Sequence, residues 1–309
     1  MASAPGRSCP ASYRYGAQAL AGPAAFESET IWVAGGLYGN PFALDALLER
    51  FEDERGEKRL VFNGDFHWFD CDPDDFARVQ DGVLGHRATR GNVESELASP
   101  AEGAGCGCGY PDWVEEATVE RSNRIMERLK SAASSVPGAL DGLKDLPMTL
   151  AASAGGERVA IVHGDADSLA GWGFSQEVLA TAAGRATAQA AFDRAGVRVF
   201  ASSHSCLPVL QSFGRGGVVA NNGAAGMPNF RGTRFGLATR ISVRPGKGAL
   251  YGARAGRLHV EAQPIAYDHA AWRGRFLELW PEGTDAHASY FTRIENGPGY
   301  ELPRALRAA

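Results

Sequence analysis

The chain has 309 residues, 44% hydrophobic and 22% charged, an ordinary globular composition and a length that suits one large domain. Its net charge of −5, with Lys and Arg scattered, leaves no basic stripe for nucleic acid, and no apolar run reaches the ~20 residues that span a bilayer. Five cysteines, an odd number without a secretory signal, argue against a disulfide framework and make the cytoplasm the expected compartment.

Residues 1–27 are rich in Ala, Gly, Pro and Ser and read as a flexible leader. Thr30–Ala34 is a β-branched and aromatic run that predicts a buried strand ending at Gly35-Gly36. Pro41 then opens a helix in which Phe42, Leu44, Leu47, Leu48 and Phe51 recur at helical spacing. Arg59–Asn63 predicts a second strand, stopping at Gly64-Asp65, and Asp72-Pro73 starts the next helix. A Cys- and Gly-bearing insertion, residues 102–111, precedes the longest helical stretch, Asp112 to about Ala133. Pro137–Asp145 reads as a break with one helical turn.

Met148–Ala152 and Arg158–Val162 predict a hairpin, and Ser175–Ala195 an Ala-rich helix. Val197–Ala201 is a strand ending at Ser202-Ser203-His204. Short strands with Gly-rich turns follow: Leu207–Ser212, Gly217–Ala220, Gly236–Val243 and Leu258–Ile265. A helix near His269–Trp280 and a polar tail complete the chain. Alternating strands and helices that give way to clustered strands predict two sheets face to face with helices outside. The expected organisation is a leader (1–27), one α/β domain (28–267), and a C-terminal helix and tail (268–309) packed on it.

The chemistry concentrates at the ends of predicted strands, where open α/β sheets hold their ligands. Asp65, Asn92, His163 and His204 all sit there, and a carboxylate, an amide oxygen and two imidazoles suit Mn, Fe, Ni or Zn. Asp65 and Asn92 each follow a glycine, which lets backbone and ligand approach closely. Taken singly, a Gly-Asp after a strand is often only a turn, and a lone His is usually a core residue. The conjunction carries the reading.

Gly35–Asn40, Gly64–Pro73, Gly91–Glu94, His163-Gly164, Ser203–Pro208 and Asn221–Ala224 together resemble, in order, the motifs of the calcineurin-like metallophosphoesterases, particularly the small bacterial phosphodiesterase branch. The resemblance covers about Ile31 to Tyr267. It implies a four-layer α/β/β/α sandwich of two mixed sheets flanked by helices, and hydrolysis of a small phosphoester. It also implies two metal ions bridged by Asp65, one of them held by Asp65, Asn92, His163 and His204.

The sequence departs from the family at the other ion. Its aspartate and two histidines are replaced by Gly36, Tyr38 and Cys206, and the general acid after Gly91-Asn92 is replaced by Val93. One divalent transition metal is therefore expected, with a second ion doubtful. Three readings follow. A mononuclear hydrolase would draw replacement charge from Arg90, Arg231 or Arg234 and a proton from His67. A rebuilt site would take a Cys206 thiolate as a metal ligand, although Cys206 reads equally as a small buried hydrophobe. A non-enzyme would keep the cleft to bind a ligand or partner. Glu94 and Asp165 are expected to orient Asn92 and His163 from behind.

Overall fold

Ile31 and Val33 face one way from their strand while Trp32 and Ala34 face the other, and both sets are buried. That two-sided burial is what a strand between two apolar layers requires. The structure, a computed structural model, describes residues 4–308.

In chain order its elements are β1 (Phe26–Glu27), β2 (Thr30–Ala34), α1 (Pro41–Glu52), β3 (Lys58–Asn63), α2 (Pro73–Leu84), β4 (Arg87–Thr89), α3 (Asn92–Ala98), α4 (Glu116–Ser134) and α5 (Ala139–Lys144). Then come β5 (Thr149–Ala154), β6 (Glu157–Val162), α6 (Gln176–Leu179), α7 (Ala182–Ala195), β7 (Val199–Ser202), β8 (Val209–Ser212) and β9 (Val218–Asn221). The last are β10 (Gly236–Ser242), β11 (Tyr251–Ala255), β12 (Leu258–Ile265), α8 (His269–Leu279), α9 (Asp285–Asn296) and β13 (Leu306–Arg307).

The strands form two mixed sheets. One runs β11-β12-β10-β2-β3-β4 and the other β1-β5-β6-β7-β9-β8-β13. Ile31, Val33 and Val61 from the first pack against Val159, Ile161, Val199 and Ala201 from the second, so the central core lies between the sheets. Trp32, Leu60 and Phe62 face outward under helices α1, α2, α4, α8 and α9. Ala160, Val162 and Phe200 face outward on the other side, under α7. The predicted four-layer α/β/β/α sandwich is observed. The parallel strands β2, β3, β4, β6, β7 and β9 bring their carboxyl ends together at one rim.

Three expectations are corrected. Residues 4–27 are not a flexible leader. Tyr13, Ala17 and Leu20 are buried, β1 pairs with β5, and Gly6 exchanges backbone hydrogen bonds with Ala104 and Tyr110. A composition rich in small residues concealed a few well-placed larger anchors. The long helix begins at Glu116 rather than Asp112, because Val114 N–H bonds to Pro111 O and closes a turn first. The Ser175–Ala195 helix is two helices: the Thr181 hydroxyl caps Gly184 N–H and starts α7 afresh.

Candidate metal centre

The loop after β3 places Asp65, and the turn after β4 places Asn92 as the first residue of α3. Close approach is built in. A Cβ on Gly64 would sit 2.5 Å from Gly91 N and 2.7 Å from His163 Nδ1, which no side chain tolerates. Glu94 clasps the two loops together, accepting from the backbone N–H groups of Gly91 (2.7 Å), Asp65 (2.9 Å), Phe66 (3.0 Å) and His67 (3.3 Å). It holds the loop of Asp65 rather than orienting Asn92. Burial, with the Asp65 charge second, raises its carboxyl above the ordinary value despite those donors.

Four donor atoms meet at His163 Nε2. Asp65 Oδ2 lies 3.2 Å away, Asn92 Oδ1 3.2 Å and His204 Nδ1 3.1 Å. The orientation of each neutral ligand is fixed from behind by a backbone carbonyl, which can only accept. His163 Nδ1 donates to Asn63 O (2.9 Å), His204 Nε2 to Cys108 O (2.9 Å), and Asn92 Nδ2 to Cys106 O (3.0 Å). The lone pairs of three neutral ligands and one carboxylate therefore converge on a single buried point. Such a cluster repels itself unless a cation or a proton sits in it. Among the described residues, Asp65, His163 and His204 form the group of metal-binding side chains close enough to share an ion.

The surrounding charges favour a proton standing in for the cation. Burial opposes charge on both partners, but the Asp65–His163 pairing overrides it, holding Asp65 below and His163 above their ordinary values. Burial, followed by the His163 charge, pushes His204 down to about 3, so its imidazole is neutral at physiological pH. A neutral imidazole is the ligating form.

Behind Gly36 the arrangement is different. A Cβ there would lie 2.8 Å from the Tyr38 ring, so the phenol occupies the space that a larger side chain would take. Tyr38 Oη lies 2.7 Å from Cys206 Sγ, and the Cys206 side chain stands outside the Asp65–His163–His204 group. Burial raises both Tyr38 and Cys206 above their ordinary values, so both keep their protons at neutral pH. Tyr38, Asp65 and Cys206 all have positive φ (55°, 50° and 61°). Non-glycine residues held this way cost about 1–3 kcal/mol each and cluster at functional sites.

Asp65, Asn92, His204, Tyr38 and Cys206 open into one cavity, walled further by Trp68, Val93, Cys108, Tyr110, Trp172 and Tyr290 and enclosing ≈ 30 Å³. No lysine or arginine among the described residues lines it. Arg90 donates to Lys144 O, Arg231 pairs with Glu301 and Arg234 with Glu295, all away from this lining. His67 is buried against Asp70 and Phe76 behind the wall. Asp165 does not touch His163; it accepts from Asp167, Ser168 and Gly173 N–H and shapes the loop that carries Trp172.

The sequence missed what the cover supplies. Cys106 and Cys108 supply carbonyls rather than thiolates, and Trp172 Nε1 shares the Cys108 carbonyl at 3.1 Å. It also missed Arg293 on α9, whose Nη2 donates to Cys206 O (2.8 Å) and ties the C-terminal helices to the site. The Cys-Gly insertion was the available signal, since alternating positive-φ glycines make a compact loop whose carbonyls point inward. All five cysteines are free thiols.

The structure is similar to that of a metallophosphoesterase from Sphaerobacter thermophilus, with a TM-score of 0.55, 16% identity, and 88% of this chain and 100% of that chain covered. It is likewise similar to hypothetical protein PH1004 from Pyrococcus horikoshii OT3, with a TM-score of 0.58 and 15% identity over 88% and 99% of the two chains. The chain has the metallophosphoesterase fold. The resemblance of its motifs to the calcineurin-like metallophosphoesterases and the two-sheet architecture thus lead to one fold. No protein-family model matches the sequence, and no curated protein matches it. No helix among the described residues is long and apolar enough to cross a membrane.

Proposed function

We propose that this protein is a metal-dependent phosphodiesterase of the calcineurin-like kind that works with one principal divalent ion. The observation that carries this reading is the convergence of Asp65, Asn92, His163 and His204 on one point, with their tautomers and amide orientation fixed by backbone carbonyls. These residues fit Mn, Fe, Ni or Zn; such an ion supplies Lewis acidity toward a phosphoryl oxygen and acidifies a water that it holds.

The charge of the site favours a diester. One carboxylate and a divalent ion leave a net charge of about +1, and no lysine or arginine on the cavity wall adds to it. That matches a singly charged phosphodiester better than a doubly charged monoester. The chain's own groups do the remaining work. Carbonyl anchors keep Asn92 and His204 from rotating, so ordering them costs nothing at the moment of reaction. Trp68, Tyr110, Trp172 and Tyr290 exclude bulk water, which strengthens every charge interaction inside.

Val93 has no proton to give and His67 does not reach the cavity. Tyr38 does reach it, in its protonated form, and is the side chain that we assign to protonate the leaving oxygen.

The test is metal analysis of protein reloaded separately with Mn, Fe, Ni or Zn, alongside turnover of bis(para-nitrophenyl) phosphate and para-nitrophenyl phosphate. About one ion per chain and faster hydrolysis of the diester is the expected result. Faster hydrolysis of the monoester would remove the charge argument. An ion with no turnover of either ester would make the protein a binding module on the same fold.

A further inference from the structure

An ester whose phosphoryl group meets the ligands carries its alcohol out along the cavity wall, and that wall is aromatic beside His204. Trp172 packs edge-on to His204 at 5.3 Å and against Tyr110 at 5.9 Å, and its N–H shares the Cys108 carbonyl that also holds His204. Trp113 extends the row outward, 6.4 Å from Trp172 and perpendicular to it.

Trp113 is 57% exposed, more than any other large hydrophobic side chain among the described residues. An exposed indole is costly to leave in water, and this one does not sit on a loose loop. Arg7 brackets its loop from outside, Nη1 donating to Pro111 O and Nη2 to Val114 O, each at 2.8 Å. The backbone on both sides of Trp113 is therefore held in place, and its ring, more than half exposed, packs on the tryptophan that shares a carbonyl with His204.

We propose that Trp113, backed by Trp172, is a stacking subsite for the alcohol part of the substrate, and that the substrate is a phosphodiester whose alcohol carries a flat aromatic group, an aryl or nucleoside ester. This rests on the phosphodiesterase reading and names its substrate class. Stacking on an aromatic side chain tolerates any flat ring, because every such ring presents a π-face. The platform thus selects for flatness and leaves the ester's other features unread.

The test uses the metal-loaded, full-length protein and three singly charged probes, the methylphosphonate monoesters of thymidine, phenol and ethanol. Dissociation constants are measured by titration calorimetry for wild type, Trp113→Ala and Trp113→Phe. The thymidine and phenyl esters should bind wild type roughly tenfold or more tightly than the ethyl ester, the scale of one base–aromatic stack. Trp113→Ala should erase that advantage without changing the ethyl ester's affinity or the metal content, and Trp113→Phe should restore most of it. An advantage for thymidine alone or phenol alone would identify which source of the flat group the site uses.

Equal affinities for all three probes, no effect of Trp113→Ala, or no binding of any probe would overturn the subsite. Turnover of bis(para-nitrophenyl) phosphate by the same samples separates the two proposals. Turnover without a stacking advantage sinks only the subsite, whereas a stacking advantage without turnover sinks only the hydrolase.

Discussion

Two neighbouring clusters share one cavity and obey opposite rules. Around His163 Nε2, four donor atoms face one another with no proton of their own to share, an arrangement that only a cation or a borrowed proton relieves. Around Gly36, a phenol and a thiol face each other, each with its own proton, and the phenol takes the space that a side chain at Gly36 would need. One cluster is incomplete without a guest; the other satisfies itself. Ligand-type residues are thus informative through the direction of their lone pairs more than through their presence.

The largest effect that would break this contrast lies at the carboxylate. Asp65→Asn removes the charge while keeping the shape. It should abolish metal retention and lower diester turnover on the order of 10³-fold, measured by elemental analysis and initial rates. Retained metal in that variant would show that the convergent cluster is not the binding site.

A smaller effect tests the support behind the ligands. Trp172→Phe deletes the indole N–H that shares the Cys108 carbonyl with His204. Metal affinity should fall about tenfold, as for other residues that orient a ligand, read by competition with a chelator.

The pH dependence follows from the signs of the shifts. His163 is raised, so its contribution to the stability of metal-free protein is full below its unfolded value of ~6.5 and fades as pH rises through the higher folded value. Asp65 is lowered, so its contribution is full above ~3.9 and fades only as pH falls through the lower folded value. Metal must displace the shared proton. Its affinity should therefore climb with pH, by at most ~10-fold per unit, and level off above the folded His163 value. Thermal melts with and without metal across that range would show the gap widening with pH. A gap that does not change would mean that no proton is displaced.

The smallest effect reverses the second cluster. Gly36→Asp, Tyr38→His and Cys206→His together replace the self-satisfied pair with bare donors. Ion content should rise from about one toward two per chain. Tyr38→His must accompany Gly36→Asp, because the phenol ring occupies the new side chain's space.

Much of this site was legible in the sequence because its ligands sit beside physical punctuation. β-branched runs such as Thr30–Ala34 and Arg158–Val162 announce strands, and the residues immediately after them are the ones a parallel sheet gathers. α3 was not legible: Asn92, Glu94, Ser95 and Glu96 are polar yet buried, so the segment lacks the broad apolar stripe that marks a packed helix. α9 failed for the opposite reason, since only Ala286 and Ile294 of its residues are buried. The arginines expected at the site were chosen for nearness in sequence to the motifs, whereas Arg293 reaches it through a helix packed from the far end of the chain. Nothing in local pattern reports a contact across 87 positions.

Residues 6–13 hold the cover that holds the ligands. Gly6 and Arg7 grip the Cys-Gly loop and its extension, while Tyr13 bonds to Glu96 on α3 and its backbone to Leu169. These residues precede their docking surface in the sequence, which is assembled from segments roughly 80 to 160 positions further on. Contacts at such long sequence separation form late in folding. Docking of residues 6–13 should therefore come late, and the carbonyls that orient Asn92 and His204 should be fixed only with it.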